Sequence, residues 1–130
     1  MTWMVNGKEF QNVTRLIPAA RYEYFIKHVA DWQHVWALWN DGWAMMGDSA
    51  GGELIAVWPH RVYAEAMAHG DWQGYAPKAI PLKEWMEKWL PGLVREKSKV
   101  ALFPVLEGQA LVVEPGRLRQ DLEEELEKME

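Results

Sequence analysis

The stretch His34-Val35-Trp36-Ala37-Leu38-Trp39-Asn40-Asp41-Gly42-Trp43-Ala44-Met45-Met46-Gly47 decides how the chain folds. It reads as a β-hairpin. Asp41-Gly42 is a two-residue turn signal, because a type I′ turn needs positive φ at both central positions. The register then sets Asn40 opposite Trp43, Trp39 opposite Ala44, Leu38 opposite Met45 and Trp36 opposite Gly47. One face carries Trp36, Leu38, Trp43 and Met45; the other carries Val35, Ala37, Trp39, Ala44 and Met46. A hairpin with one solvated face alternates apolar and polar residues. This one is apolar on both, so either helices cover both faces or one face is a binding surface. Trp39 and Trp43 are expected on opposite faces, which leaves at least one exposed.

Upstream, Pro18 opens a helix, and Tyr22, Phe25, Ile26 and Val29 follow at helical spacing as far as about Asp31. Residues 1–17 read as an N-terminal extension. Downstream, Leu54-Ile55-Ala56-Val57-Trp58 is a third, central strand. Pro59 ends it and opens a second helix to about Ala68. Residues 72–78 read as a loop and Ala79-Ile80 as a short extended piece. Pro81 opens a third helix with Leu82, Trp85, Met86, Trp89 and Leu93 on one side, and Pro91 is expected to stop it near Leu90. Val100–Phe103 and Ala110–Val113 flank Glu107-Gly108-Gln109 as a second hairpin, with Pro104 marking an edge position or a bulge. Pro115 opens an acidic C-terminal helix, residues 115–130, with Leu118, Leu122, Leu126 and Met129 to bury. The expected fold is α+β: a central mixed, mainly antiparallel sheet of about five strands with four helices, one domain over residues 1–130.

Composition narrows the function classes. Apolar residues make up 49% and charged residues 25%, which suits a folded globular chain rather than a disordered one. There is no cysteine, so a disulfide scaffold, a thiolate nucleophile and a cysteine zinc site are excluded. The net charge is −5. Residues 117–130 hold three basic and six acidic side chains, so most of the acidity sits in the last helix. No basic stripe is present to neutralise phosphates, and nucleic-acid binding is not expected. No run approaches the ~20 apolar residues of a membrane span. Met1 to Lys8 lacks a basic segment followed by an apolar run, so a cytoplasmic location is expected.

No motif carries chemistry outright. Gly47-Asp48-Ser49-Ala50-Gly51-Gly52 invites comparison with a protease nucleophile loop. However, Ala50 breaks the pattern, and His34 and Asp41 fall at opposite ends of one strand and its turn. His28, His34, His60 and His69 show no metal-ligand spacing. No cofactor fingerprint is present, and Gly51-Gly52 is no phosphate loop. His60 stands out because it follows Trp58-Pro59 at a strand end and enters a helix N-terminus, whose dipole disfavours a protonated imidazole. It is expected either to hydrogen-bond a nearby loop or to face a ligand crevice. The nine tryptophans are the strongest compositional feature. They serve either as large core rings or as a recognition surface.

Six segments occur in order: Arg21-Tyr22-Glu23-Tyr24-Phe25, Asn40-Asp41-Gly42-Trp43, Val57-Trp58-Pro59-His60, Ala79-Ile80-Pro81-Leu82, Lys88-Trp89-Leu90-Pro91 and Val100-Ala101-Leu102-Phe103-Pro104. Across Arg21 to Glu127 the chain resembles domain-of-unknown-function family 2750, a group of small bacterial proteins. The resemblance implies a bacterial, single-domain, cytosolic protein and brings no catalytic residues with it. Two function classes follow from the residues. The first is a non-catalytic module that binds a protein partner or itself through the aromatic hairpin and the terminal helix. The second is a small-molecule binder or enzyme with a crevice near Trp58-Pro59-His60. The candidate surface is Trp39, Trp43, Asp48, Trp58 and His60, with no metal and no cofactor expected.

Overall fold

The structure, a computed structural model, describes residues 3–106, 108 and 110–129. Among these the fold is α+β, with six strands in two sheets. The larger sheet has the order β2 (Met45–Gly47), β3 (Glu53–Val57), β5 (Lys99–Leu102), β6 (Leu111–Val113). β3 and β5 run parallel, and the other pairs are antiparallel. The two parallel strands sit in the middle, and Leu54–Val57 and Val100–Leu102 are all buried. That explains their unbroken apolar runs, since a strand covered on both faces has no polar side to show. The second sheet pairs β1 (His34–Trp39) with β4 (Ala76–Pro81) over six residue pairs. A single antiparallel bridge, Trp36 with Trp58, ties the sheets together through two hydrogen bonds of 2.9 and 2.8 Å.

The predicted first hairpin is replaced by a corner. β1 and β2 belong to different sheets, joined by the turn at residues 40–42. Trp39 pairs with Trp43, not Ala44, and the Ala44 N–H donates to the Leu38 carbonyl at 2.9 Å. The reason is local. Asp41 adopts the left-handed conformation (φ 54) while Gly42 does not, so the two-residue type I′ geometry is absent. The chain then diverges, and β1 takes β4 as its ladder partner. Pro77 and Pro81 disguise β4 in the sequence. They are tolerated because β4 is an edge strand whose other side needs no ladder donors.

The helices are α1 (Gly7–Thr14), α2 (Pro18–Trp32), α3 (Arg61–Ala66), α4 (Leu82–Glu84), α5 (Leu90–Glu96) and α6 (Pro115–Lys128). α1 lies in the segment expected to be an extension. Its signal was the Asn6 cap, whose side chain accepts from the Glu9 N–H at 2.8 Å. The third predicted helix does not stop at Pro91. α4 continues through a π-helical turn (Trp85–Trp89) into α5 without a break. The Leu90 N–H reaches back to the Trp85 carbonyl, five residues away. A proline inside an α-helix orphans a carbonyl and collides with it; the wider turn just ahead of Pro91 absorbs that conflict.

The second hairpin forms as β5 and β6 in the register Val100 to Val113. Glu107 and Gln109, expected at its tip, lie outside the described residues. Pro104 falls past the end of β5, where Phe103 turns left-handed (φ 55). One contiguous buried cluster draws on Val13 of α1, Phe25 of α2, Tyr63 of α3, Leu82 of α4, Leu93 of α5 and Leu122 of α6. Leu118 and Leu122 of the C-terminal helix are fully buried, Leu126 is half-buried and Met129 is exposed. Among the described residues no helix is long and apolar enough to cross a membrane.

Candidate functional site

The corner at residues 40–42 builds a row of tryptophans. Bridge partners across a turn share a face, so Trp39 and Trp43 meet instead of lying on opposite faces. Their ring centroids are 4.7 Å apart at 70°. Trp43 meets Trp89 edge-on at 4.9 Å and 79°, and Trp89 stacks on Trp85 at 5.7 Å and 30°. The row runs from the core to solvent: Trp85 is fully buried, Trp89 and Trp43 are half-buried, and Trp39 is 36% exposed. The Lys78 ammonium caps the outer end, 4.7 Å from the Trp39 centroid and 5.5 Å from that of Trp43. A cation over an indole face is favourable by about 0.5–1 kcal/mol at an exposed site.

Beside this row lies a groove of about 350 Å³, bordered by Trp43, Met45, Ile55, Lys88, Trp89 and Glu96 among others. It lies over Met45 of β2, the edge strand of the larger sheet, and its partner Ile55 of β3. The outer side of Met45–Gly47 has no strand partner among the described residues. Trp85, Trp89 and Lys78 were not singled out for this surface from the sequence. Trp89 had a signal in its helical spacing with Trp85, but the turn that aims it at Trp43 depends on the π segment. Lys78 had none, because it reaches Trp39 only through the β1–β4 register, in which it stands opposite Ala37.

The other expected site residues are placed apart from this row. Trp58 is fully buried, and its indole N–H donates to the Pro104 carbonyl at 2.9 Å. His60 caps α3: its Nδ1 accepts from the Val62 N–H at 3.1 Å, which leaves the proton on Nε2 for the Trp3 carbonyl at 3.0 Å. Both ring nitrogens are therefore engaged. Asp48 organises its own loop. Its carboxylate accepts from the Ala50 N–H at 3.2 Å and lies 3.8 Å from the Lys99 ammonium.

His60 belongs to a second aromatic cluster. The Trp3 ring lies 4.6 Å from both His28 and His60. Tyr24 stacks on His28 at 4.1 Å, and its hydroxyl donates to Glu9 at 2.7 Å. The Tyr63 hydroxyl lies 2.9 Å from that of Tyr24 and, with the Tyr24 proton committed to Glu9, acts as donor. Burial raises both phenols, Tyr63 to about 12 and Tyr24 further, the latter helped by its hydrogen bonds to Tyr63 and Glu9. Burial also draws the His28 imidazole below its ordinary value, so its neutral form is favoured. Next to this cluster a cleft of about 470 Å³ is lined by Phe10, Tyr63 and Phe103 among others. A third, of about 610 Å³, lies between α2 and α6. Trp58, His60 and Asp48 line none of these three clefts.

The geometry defines a small α+β protein with an aromatic row at a sheet corner and a hydrogen-bonded aromatic cluster at the strand ends. The chain belongs to the family described as protein of unknown function (DUF2750), whose model matches residues 22–122. No curated protein and no solved structure matches it.

Proposed function

We propose that the chain is a non-catalytic binding module that self-associates through the tryptophan row, with β2 of one copy alongside β2 of a second. The observation that carries this is an exposed ring and a recess on one surface: Trp39, 36% exposed, with the groove between Trp43 and Trp89 beside it. An isologous two-fold contact needs such self-complementarity, since the same patch serves both partners. The edge supports it as well. Met45-Met46-Gly47 is short, three residues, but it carries no lysine or proline and its outer side has no strand partner among the described residues. The row and groove offer rings, a thioether, the Lys78 and Lys88 ammoniums and the Glu96 carboxylate, a mixed apolar and charged surface suited to contact.

Sedimentation velocity over a roughly hundredfold concentration range tests this. The expected result is a dimer that Trp39→Glu converts to a monomer with an unchanged circular dichroism spectrum. A chain that stays monomeric throughout, or a dimer indifferent to Trp39→Glu, overturns it.

A further inference from the structure

We propose that the 470 Å³ cleft beyond the C-terminal ends of β3 and β5 binds a small organic anion with a flat apolar body. The site is independent of the self-association surface, with which it shares no lining residue.

The position follows from topology. β3 and β5 are the parallel pair, and Val57 with Leu102 is their last rung. Beyond that rung the chains part. One continues through Trp58-Pro59-His60 into α3, while the other turns left-handed at Phe103, whose N–H donates to the Val57 carbonyl at 2.9 Å. Crevices outside the carboxyl ends of parallel strands are where open α/β sheets hold ligands. α1 packs across the opening and completes the cleft, whose volume falls in the range of small-molecule sites.

The lining indicates the ligand chemistry. Phe10 stacks on Tyr63 at 5.4 Å and 10°, and Phe103 lies 4.9 Å from Tyr63, so the walls are aromatic faces and edges. The hydroxyls nearby are committed: Tyr63 to Tyr24, and Thr14 to the Phe10 carbonyl at 2.8 Å. The charged side chains among the described lining residues are Arg15 and Arg21, both cations, in a chain whose net charge is −5. Arg21 is buried and its guanidinium is engaged within the protein, in part by the Leu16 carbonyl at 2.5 Å, so it is not the group offered to a ligand. Arg15 is exposed at the end of α1 and is the side chain that meets the anionic group. An apolar wall with a guanidinium at its rim selects a planar hydrophobic body carrying a carboxylate, sulfonate or phosphate.

Two fluorescent probes separate body from charge: 1-anilinonaphthalene-8-sulfonate and N-phenyl-1-naphthylamine, which share a ring system and differ in the sulfonate. Titration of the full chain at low salt should give one saturable site, with the sulfonate bound roughly fivefold or more tighter than the neutral amine. Arg15→Gln should remove most of that preference while leaving the neutral probe unchanged. Ala66→Trp, which fills the cleft from α3, should weaken both probes about tenfold or more. If Ala66→Trp does not fold, Leu106→Glu serves instead: Leu106 is 70% exposed, and a carboxylate there should weaken the sulfonate alone. Absence of saturable binding, equal affinity for the two probes, or binding unaffected by both cleft variants overturns the proposal.

Discussion

The two aromatic clusters of this protein are built on opposite principles. Around Tyr24, His28, His60 and Tyr63, beside the Trp3 ring, both phenol hydroxyls, both His60 nitrogens and His28 Nδ1 are hydrogen-bonded within the protein. Around Trp39, Trp43, Trp89 and Trp85 the rings meet edge-on or stacked, with only the Lys78 ammonium at the outer end. A cluster whose hydrogen bonds are largely made internally has few left to offer a partner and, apart from the Tyr63 ring face on the cleft, mainly specifies the fold. A row that grades from buried to exposed keeps its last ring for contact. Residue type alone does not separate the roles, because tryptophan occurs in both.

The contrast breaks most decisively at the strand junction. Trp58→Ala should cost about 3–5 kcal/mol in urea unfolding, since a fully buried indole and its hydrogen bond to Pro104 are lost together. A loss below about 1 kcal/mol would mean that Trp58 is not a structural element of the buried core. His60→Ala should cost about 1 kcal/mol by removing the α3 cap, and His60→Asn should recover most of it, because asparagine caps equally well. Failure of the asparagine rescue would assign the loss to the Trp3 contact instead.

At the corner, Asp41→Val should destabilise by about 1–2 kcal/mol, because a β-branched residue resists φ 54. Gly42→Val should be close to neutral: Gly42 is outside the left-handed region, and a Cβ there meets nothing within 4 Å. The reverse ranking of the two variants would restore the two-residue turn.

The smallest expected effect is a pH dependence in the hydrogen-bonded cluster. Burial lowers the His28 value in the folded state below the 6.5 of the unfolded chain. The unfolded state therefore binds the proton more readily. The His28 contribution is complete above about pH 6.5 and is lost as the pH falls below it. The melting temperature should drop between pH 7.5 and 5.5, and His28→Gln should shrink that drop. An equal drop in the variant would locate the titrating group elsewhere.

Legibility followed sequence separation. The α2 stripe Tyr22, Phe25, Ile26, Val29 and the α6 stripe Leu118, Leu122 were readable, because a helical face repeats within a few residues. The α+β class and the β5–β6 hairpin were readable for the same reason. Of β4 only Ala79-Ile80 was legible as extended; the rest was hidden by two prolines whose tolerance depends on its edge position, a property of the sheet. The continuation of the helix past Pro91 was hidden because a π turn has no composition of its own. Of the candidate surface, Trp39 and Trp43 were legible as residues flanking a turn, but their meeting was not.

The sequence by itself determined that the chain mixes helices with strands, that His34–Trp39 and Leu54–Val57 are strands, and that Pro18 and Pro115 start helices. It also determined that bulky indoles cluster about the Asp41-Gly42 turn. These follow from periodicity and from backbone restrictions acting over a few residues. Only the tertiary structure decided which strand pairs with β1, which tryptophan reaches solvent, and that Arg15, Phe10, Tyr63 and Phe103 surround one cleft. Those outcomes depend on contacts between residues dozens of positions apart. Such contacts are chosen by the competition of whole strands and helices for the same buried surface, and a local pattern does not record that choice.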